Sequence, residues 1–197
     1  GCGGLSLGLY NAGWHGLFAV EKNADAFSTL SINLILKKKH YLWPEWLSKS
    51  NLDIYEVIKT HAEELKKLRG RVSLVVGGPP CQGFSSANQQ RIIDDPRNEL
   101  YKYFLKAIEK IVPKFVVMEN VRGMLSVAEQ VIEDYQSIKA TKDGKEYTYT
   151  VEYQLLNSAD FSVAQSRERL IYIAVRNDIA KDKNITHAVL GITQIFR

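Results

Sequence analysis

The sequence predicts an α/β fold, with helices packed on a mostly parallel sheet that carries an antiparallel hairpin at one edge. Three observations predict it. Short apolar, β-branched runs alternate with amphipathic stretches of helical period. Val72–Val76 is such a run and ends in Gly77-Gly78, a buried strand followed by a turn. The last two strand-like segments have no long helix between them, so they pair antiparallel.

Gly1 to Gly4 form a glycine-rich turn with no strand ahead of it, so the first strand is expected to be missing from this chain. A helix follows through Leu5, Leu9 and Ala12, and Gly16–Glu21 reads as a short buried strand. Ala24, Phe27, Leu30 and Leu34 recur at helical spacing. Lys37 to Ser50, with Trp43, Pro44 and Trp46, is irregular and reads as an inserted loop. Leu52–Ile54 is a short strand end, and His61–Leu68 a charged helix. Leu100, Phe104, Ala107, Ile108 and Ile111 mark an amphipathic helix stopped near Pro113, and Phe115–Met118 is the next strand. Ala128, Val131, Ile132 and Tyr135 mark another helix. Tyr147, Tyr149, Val151, Tyr153 and Leu155 alternate as a strand with one polar face, and Leu170–Val175 is a further strand. Residues 1–180 read as one domain, and 181–197 as a tail without assignment.

The chain has 197 residues, 45% of them hydrophobic and 24% charged, an ordinary globular balance. Its net charge of +4 permits a nucleic-acid partner without requiring one. No stretch approaches the ~20 apolar residues of a membrane helix, and no signal peptide is evident. Cys2 and Cys81 stand apart, outside any CxxC pair, and the histidines lack metal-ligand spacing, so no metal is expected. Two isolated cysteines fit a reducing compartment.

The chemistry centres on Gly77-Gly78-Pro79-Pro80-Cys81-Gln82-Gly83-Phe84-Ser85. It follows a buried strand, where ligands gather in open α/β sheets. Glycines let the chain turn sharply, and two prolines stiffen the approach to a thiol presented to a cleft. This nonapeptide resembles the catalytic motif of the DNA (cytosine-5)-methyltransferases. Further motifs of that family follow in order, from Gly1 to about Arg176. The resemblance implies a Rossmann-like, S-adenosylmethionine-dependent methyltransferase fold.

It also implies site residues. Gly1, Cys2, Gly3, Gly4 and Leu5 resemble the end of the donor loop, although Ser6 breaks a GxGxxG pattern. Glu21, about 20 residues after that loop, stands where such folds place an acid on ribose hydroxyls, with Lys22 beside it. Asp53 is expected to accept from the adenine amino group and Ile54 to pack on the ring; Pro80 and Leu100 complete the expected donor contacts. Glu119-Asn120-Val121 matches the second catalytic motif, with Glu119 holding a proton for the cytosine N3 edge and Asn120 fixing the loop. Gln165-Ser166-Arg167-Glu168-Arg169 matches a Q-x-R-x-R motif. There Arg169 is expected at the cytosine O2 and near Cys81, where its charge would favour the thiolate, and Arg167 at backbone or loop contacts. Gln82 and Ser85 are expected to touch the flipped nucleotide or its phosphate, and Asn120 and Gln165 are counted with them as substrate-binding residues.

The implied activity is methyl transfer from S-adenosylmethionine, leaving S-adenosylhomocysteine, to C5 of cytosine through a covalent Cys81–C6 adduct. The implied partners are double-stranded DNA and a cognate restriction endonuclease acting on the same site, in a bacterial or phage-encoded cytoplasmic enzyme. The family's target-recognition domain has no counterpart here, so the chain reads as a fragment that binds DNA poorly and turns over slowly or not at all. Three other readings stay open: the transfer-RNA branch of the same superfamily, a catalytically silent binding module, and an unrelated nucleotide-binding oxidoreductase. Gln-Gly-Phe-Ser after Cys81 favours DNA, the presence of both Cys81 and Glu119 disfavours the silent module, and the oxidoreductase leaves the Cys81 motif unexplained.

Overall fold

The computed structural model describes residues 1–81, 95–142 and 144–181. The chain folds as two compact units, Gly1–Glu64 and Leu65–Arg197.

In the first unit, α1 (Gly4–Asn11) starts from Gly3, whose φ of 94° is left-handed. A Cβ there would also stand 2.7 Å from Leu34 Cδ1, so glycine is required on two counts. Helix α2 (Ala24–Leu30) is capped by Asn23, whose side chain accepts from the Ala26 N–H at 2.9 Å. It continues into a π-helical stretch, Ser31–Lys37. Phe27, Leu30 and Leu34, one helical face, are buried. The segment expected as an inserted loop is irregular but buries Trp43 and Leu47, and the Trp43 indole donates to the Leu47 carbonyl at 2.9 Å.

Two expected strands do not form. Gly16–Glu21 makes a single parallel bridge, Gly16 to Tyr41, with flanking bonds such as Gly16 N–H to His40 O at 3.0 Å. Its far end holds only the Leu52 N–H to Glu21 O bond, 2.8 Å. These exchanges are too few for a continuous ladder. Leu52–Ile54 is likewise no strand end: Ile54 opens α3 (Ile54–Thr60), and Asp53 is its N-cap, accepting from the Tyr55 N–H at 2.9 Å. Helix α4 (Ala62–Lys67) follows.

In the second unit, β1 (Leu74–Gly77) leads by way of α5 (Glu99–Ile111) to β2 (Phe115–Val121). These two strands pair in parallel, which requires a crossover element, and α5 supplies it. Tyr101, Leu105 and Ile108 of α5 are buried at helical spacing. The helix stops at Val112, φ 50°, just before Pro113. Then come α6 (Ala128–Gln136), a small hairpin of β3 (Ala140–Lys142) and β4 (Lys145–Tyr147), β5 (Tyr149–Asn157), β6 (Glu168–Arg176) and α7 (Asn177–Ala180). The main sheet has the order β1-β2-β6-β5. As the sequence implies, β5 and β6 form an antiparallel hairpin at one edge. β6 is also antiparallel to β2.

Val116, Met118, Leu170, Tyr172 and Ala174 line one sheet face and form one core with Tyr101, Leu105, Ile108, Val131 and Tyr135 of the covering helices. Each large side chain so buried contributes about 1.5–3 kcal/mol. Two boundaries differ from expectation. β2 runs on to Val121, so Glu119 and Asn120 lie inside the ladder rather than after it. Tyr147 belongs to β4, and the alternation of β5 lapses beyond Val151, where Tyr153 is exposed and tilts against Tyr172 at 5.6 Å.

Candidate active site

Parallel pairing sets Gly77 opposite Met118, so the chain leaving β1 passes the end of β2 beside Glu119. A Cβ on Gly78 would lie 3.0 Å from Glu119 Oε2 and 3.3 Å from its carbonyl, tighter than a normal contact. Only glycine lets the loop run this close without pushing the carboxylate aside. Pro79 is buried and Pro80 exposed.

Cys81 is buried, 7% exposed. Among the described residues its sulfur meets two hydrogen-bonding groups, the Pro79 carbonyl and the Asn120 side-chain amide, both at 3.5 Å. The same amide donates to Pro79 O at 2.9 Å, while Asn120 Oδ1 accepts from the Val121 N–H at 2.9 Å. Asn120 therefore ties the cysteine loop to β2. Burial pushes the Cys81 thiol up to about 11, against a smaller lowering by the Asn120 hydrogen bond.

Arg169, expected at the cytosine O2 and in the region of Cys81, has two partners in the folded chain. Arg169 Nε pairs with Glu119 Oε1 at 2.7 Å, and Nη1 donates to the Glu168 carbonyl at 2.7 Å. The register explains this choice. Arg169 is opposite Val121 and Glu119 opposite Ile171, so the two are diagonal neighbours on one face of the ladder. Asn120 alternates to the other face, towards Met118 and Cys81. One strand thus carries a group for the thiol on one side and a carboxylate for Arg169 on the other. At the next rung Arg122 and Glu168 pair at 2.7 Å.

Gln165 and Arg167 are exposed on the segment leading into β6. The sequence reading missed the residues that hold this segment, Asn157 and Ser158. Asn157 Oδ1 accepts from the Arg167 N–H at 3.0 Å, and Ser158 Oγ donates to Gln165 O at 2.6 Å. An Asn-Ser step after an apolar run was the available signal, but it is as common in plain turns. Leu100 is 43% exposed at the start of α5. Gln82 and Ser85 lie outside the described residues.

In the first unit, Glu21 accepts from the Asn23 N–H at 2.7 Å and from the Gly1 amino group. Asp53 pairs through Oδ2 with Lys22 at 2.7 Å, which with the Tyr55 N–H holds its carboxyl below the usual range. Ile54 is half-buried, while Gly1, Cys2, Gly4 and Leu5 are exposed and Gly3 partly so. Among the described residues there is no cluster of three or more metal-ligating side chains, and no helix is long and apolar enough to cross a membrane.

Known proteins resemble this arrangement in sequence and fold. The type II methyltransferase M.AquIA of Picosynechococcus is 36% identical over 89% of this chain, which spans 69% of that protein. M.BspRI of Lysinibacillus sphaericus is 33% identical over 91% of the chain and M.FnuDI of Fusobacterium nucleatum 36% over 91%; the chain spans 43% and 46% of these relatives. Among solved structures, an E. coli prophage-encoded candidate DNA modification methyltransferase superposes with a TM-score of 0.66 at 26% identity, over 91% of this chain and 45% of that one. The S. pombe Dnmt2 methyltransferase shares the fold, with a TM-score of 0.61 at 20% identity over 89% of this chain and 48% of that one. Residues 1–192 match the family described as C-5 cytosine-specific DNA methylase, and the chain belongs to that family.

Proposed function

We propose that this chain carries the chemical centre of a DNA (cytosine-5)-methyltransferase, with Cys81 as nucleophile and S-adenosylmethionine as methyl donor. The observation that carries the reading is the pairing of Cys81 with Asn120 and of Glu119 with Arg169 at neighbouring strand ends. These two pairs lie at the end of β2, where the chain leaves the strand, and that proximity along one strand supports the reading.

C5 of cytosine is a poor nucleophile. When Cys81 Sγ bonds to C6, the C5=C6 electron pair moves to C5, which then takes a methyl group. Glu119 donates a proton to N3 as the adduct forms and hydrogen-bonds the exocyclic amino group. Arg169 holds the Glu119 side chain and offers its remaining donors to the base carbonyl. Loss of the C5 proton to a base such as water restores C5=C6, the C–S bond breaks, and Cys81 is free again. The thiol must ionise before attack, and Asn120 is the donor that favours its anion. The target base has to leave the duplex to reach a thiol this deep, and Gln82 and Ser85 are placed by sequence to meet the flipped nucleotide.

The first unit fits the donor. The Glu21 carboxylate and the Asp53 cap are acceptors for ribose hydroxyls and an adenine amino group, and the glycine loop leaves the first backbone amides of α1 without a side-chain cap. When bound, S-adenosylmethionine supplies a methyl group on a sulfonium and leaves as S-adenosylhomocysteine. Type II relatives also suggest a cognate restriction endonuclease that shares the DNA site.

The test uses full-length protein, S-adenosylmethionine and duplex DNA containing 5-fluorocytosine. Fluorine at C5 cannot leave as a proton does, so the adduct persists. We expect a denaturation-resistant protein–DNA complex that is absent with Cys81→Ala. No complex across DNA of varied sequence, with donor binding intact, would overturn the reading.

A further inference from the structure

We infer that Asn157 and Ser158 are positioning residues that set the location of Arg169 by fastening the segment before it. The inference rests on the proposed contact between Arg169 and the target base.

The β5–β6 ladder ends at the pair Asn157 and Glu168. Beyond it, residues 165–167 have no strand partner, yet their polar groups are held. Asn157 Oδ1 accepts from the Arg167 N–H at 3.0 Å and from the Ala159 N–H at 3.1 Å, and its Nδ2 donates to Ser166 Oγ at 3.2 Å. The Ser158 N–H donates to Arg167 O at 3.0 Å, and its hydroxyl to Gln165 O at 2.6 Å. Two consecutive residues thus take the place of a strand and extend the ladder by three residues. Asparagine suits the first position because it accepts and donates together.

Arg169 feels this fastening through its neighbour. Its Nη1 donates to the Glu168 carbonyl and its Nε to Glu119, both at 2.7 Å. Glu168 is the first residue after the fastened segment, so slack at residues 165–167 displaces that carbonyl and turns the guanidinium away from its carboxylate. A misplacement on the order of 1 Å costs roughly a hundredfold in rate.

The experiment compares full-length wild-type protein with Asn157→Ala, Asn157→Asp, Ser158→Ala and Ser158→Thr. Methylation kcat is expected to fall about tenfold or more in Asn157→Ala with an unchanged KM for the methyl donor, and the Asp and Thr variants to recover most of it. In an Arg169→Ala background, Asn157→Ala is expected to cost less than about twofold further, because the effect runs through Arg169. Independent, multiplying losses would overturn the inference. Hydrogen exchange decides it without activity: the Arg167 amide is expected to exchange at least about tenfold faster in Asn157→Ala while the amides of β2 keep their protection. Unchanged exchange at Arg167 overturns the inference. Inactivity of wild-type protein would count against the methyltransferase reading, and the exchange result would still stand.

Discussion

The side-chain amide of Asn120 lies 3.5 Å from Cys81 Sγ and 2.9 Å from the Pro79 carbonyl, so a single group locates the cysteine loop and solvates its sulfur. Burial opposes ionisation, and this amide partly offsets it. With Cys2 replaced by serine, alkylation of Cys81 is expected to accelerate about tenfold per pH unit from pH 8 to 10, since the thiol titrates at about 11. Asn120→Leu removes the donor and is expected to slow alkylation at pH 9 by about threefold to tenfold. A faster reaction in the variant would reverse the role given to Asn120. Mass spectrometry of the alkylated protein against time gives the rates.

Glu119→Gln keeps the shape of the side chain, removes the carboxylate that Arg169 pairs with, and removes the group proposed to take up a proton and pass it to N3. Methylation is expected to fall by about 10²–10⁴-fold. Titration calorimetry with S-adenosylmethionine is expected to show unchanged binding. A rate within twofold of wild type would leave Glu119 without a catalytic part.

His40 is 2% exposed, packed edge-on to the rings of Tyr10 and Tyr41, and its Nδ1 has no hydrogen-bond partner. Burial, with a smaller effect from His15, depresses its pKa, against a bond to the Trp14 backbone. The unfolded chain therefore takes up the proton first as pH falls. The stabilisation is complete above the unfolded value of about 6.5 and is lost as pH falls through the depressed folded value. Thermal melts between pH 5 and 8 should show this limb, and His40→Phe should flatten it. A melting temperature that rises below pH 6.5 would contradict the assignment.

Ser162 holds φ 61° in the exposed turn that leads to Gln165. Ser162→Gly is expected to stabilise by up to about 1 kcal/mol, because glycine adopts this conformation without strain. Ser162→Val, with its branched Cβ, is expected to destabilise by about 1–2 kcal/mol. Urea unfolding curves of the three proteins decide the order.

What the sequence made legible was whatever local pattern controls. The run before Gly77, the period of Leu100 to Ile111 and the two late strands need only their own residues to be recognised, and an element of the expected type forms at each, with ends shifted by about two residues in β1 and β5. The cysteine motif carried its strand-end position in the same way. The extension of β2 to Val121 was not readable, because Glu119 and Asn120 have poor strand propensity and are held there by partners some fifty positions away in β6. The same holds for Arg169. Nothing local says that its diagonal neighbour is Glu119. Gly16–Glu21 failed in the other direction: it has the composition of a strand, but its backbone hydrogen bonds go to His40, Leu42 and Trp43 at one end and to Leu52 at the other instead of to one continuous partner. Asn157 and Ser158 escaped notice because their work is done by hydrogen bonds that close over a turn.

The place of β6 in the sheet has a consequence for how the protein is made. It is the last strand along the chain among the described residues, yet it lies between β2 and β5. On the ribosome, β2 and β5 leave the exit tunnel with open edges facing each other and no strand to bridge them. Until β6 has emerged, Glu119 has no Arg169 and one hydrogen-bonding edge of each of these strands stays unpaired. The sheet closes late, by insertion of a strand into a waiting slot, and that interval is when the nascent chain is most exposed to pairing with the wrong edge.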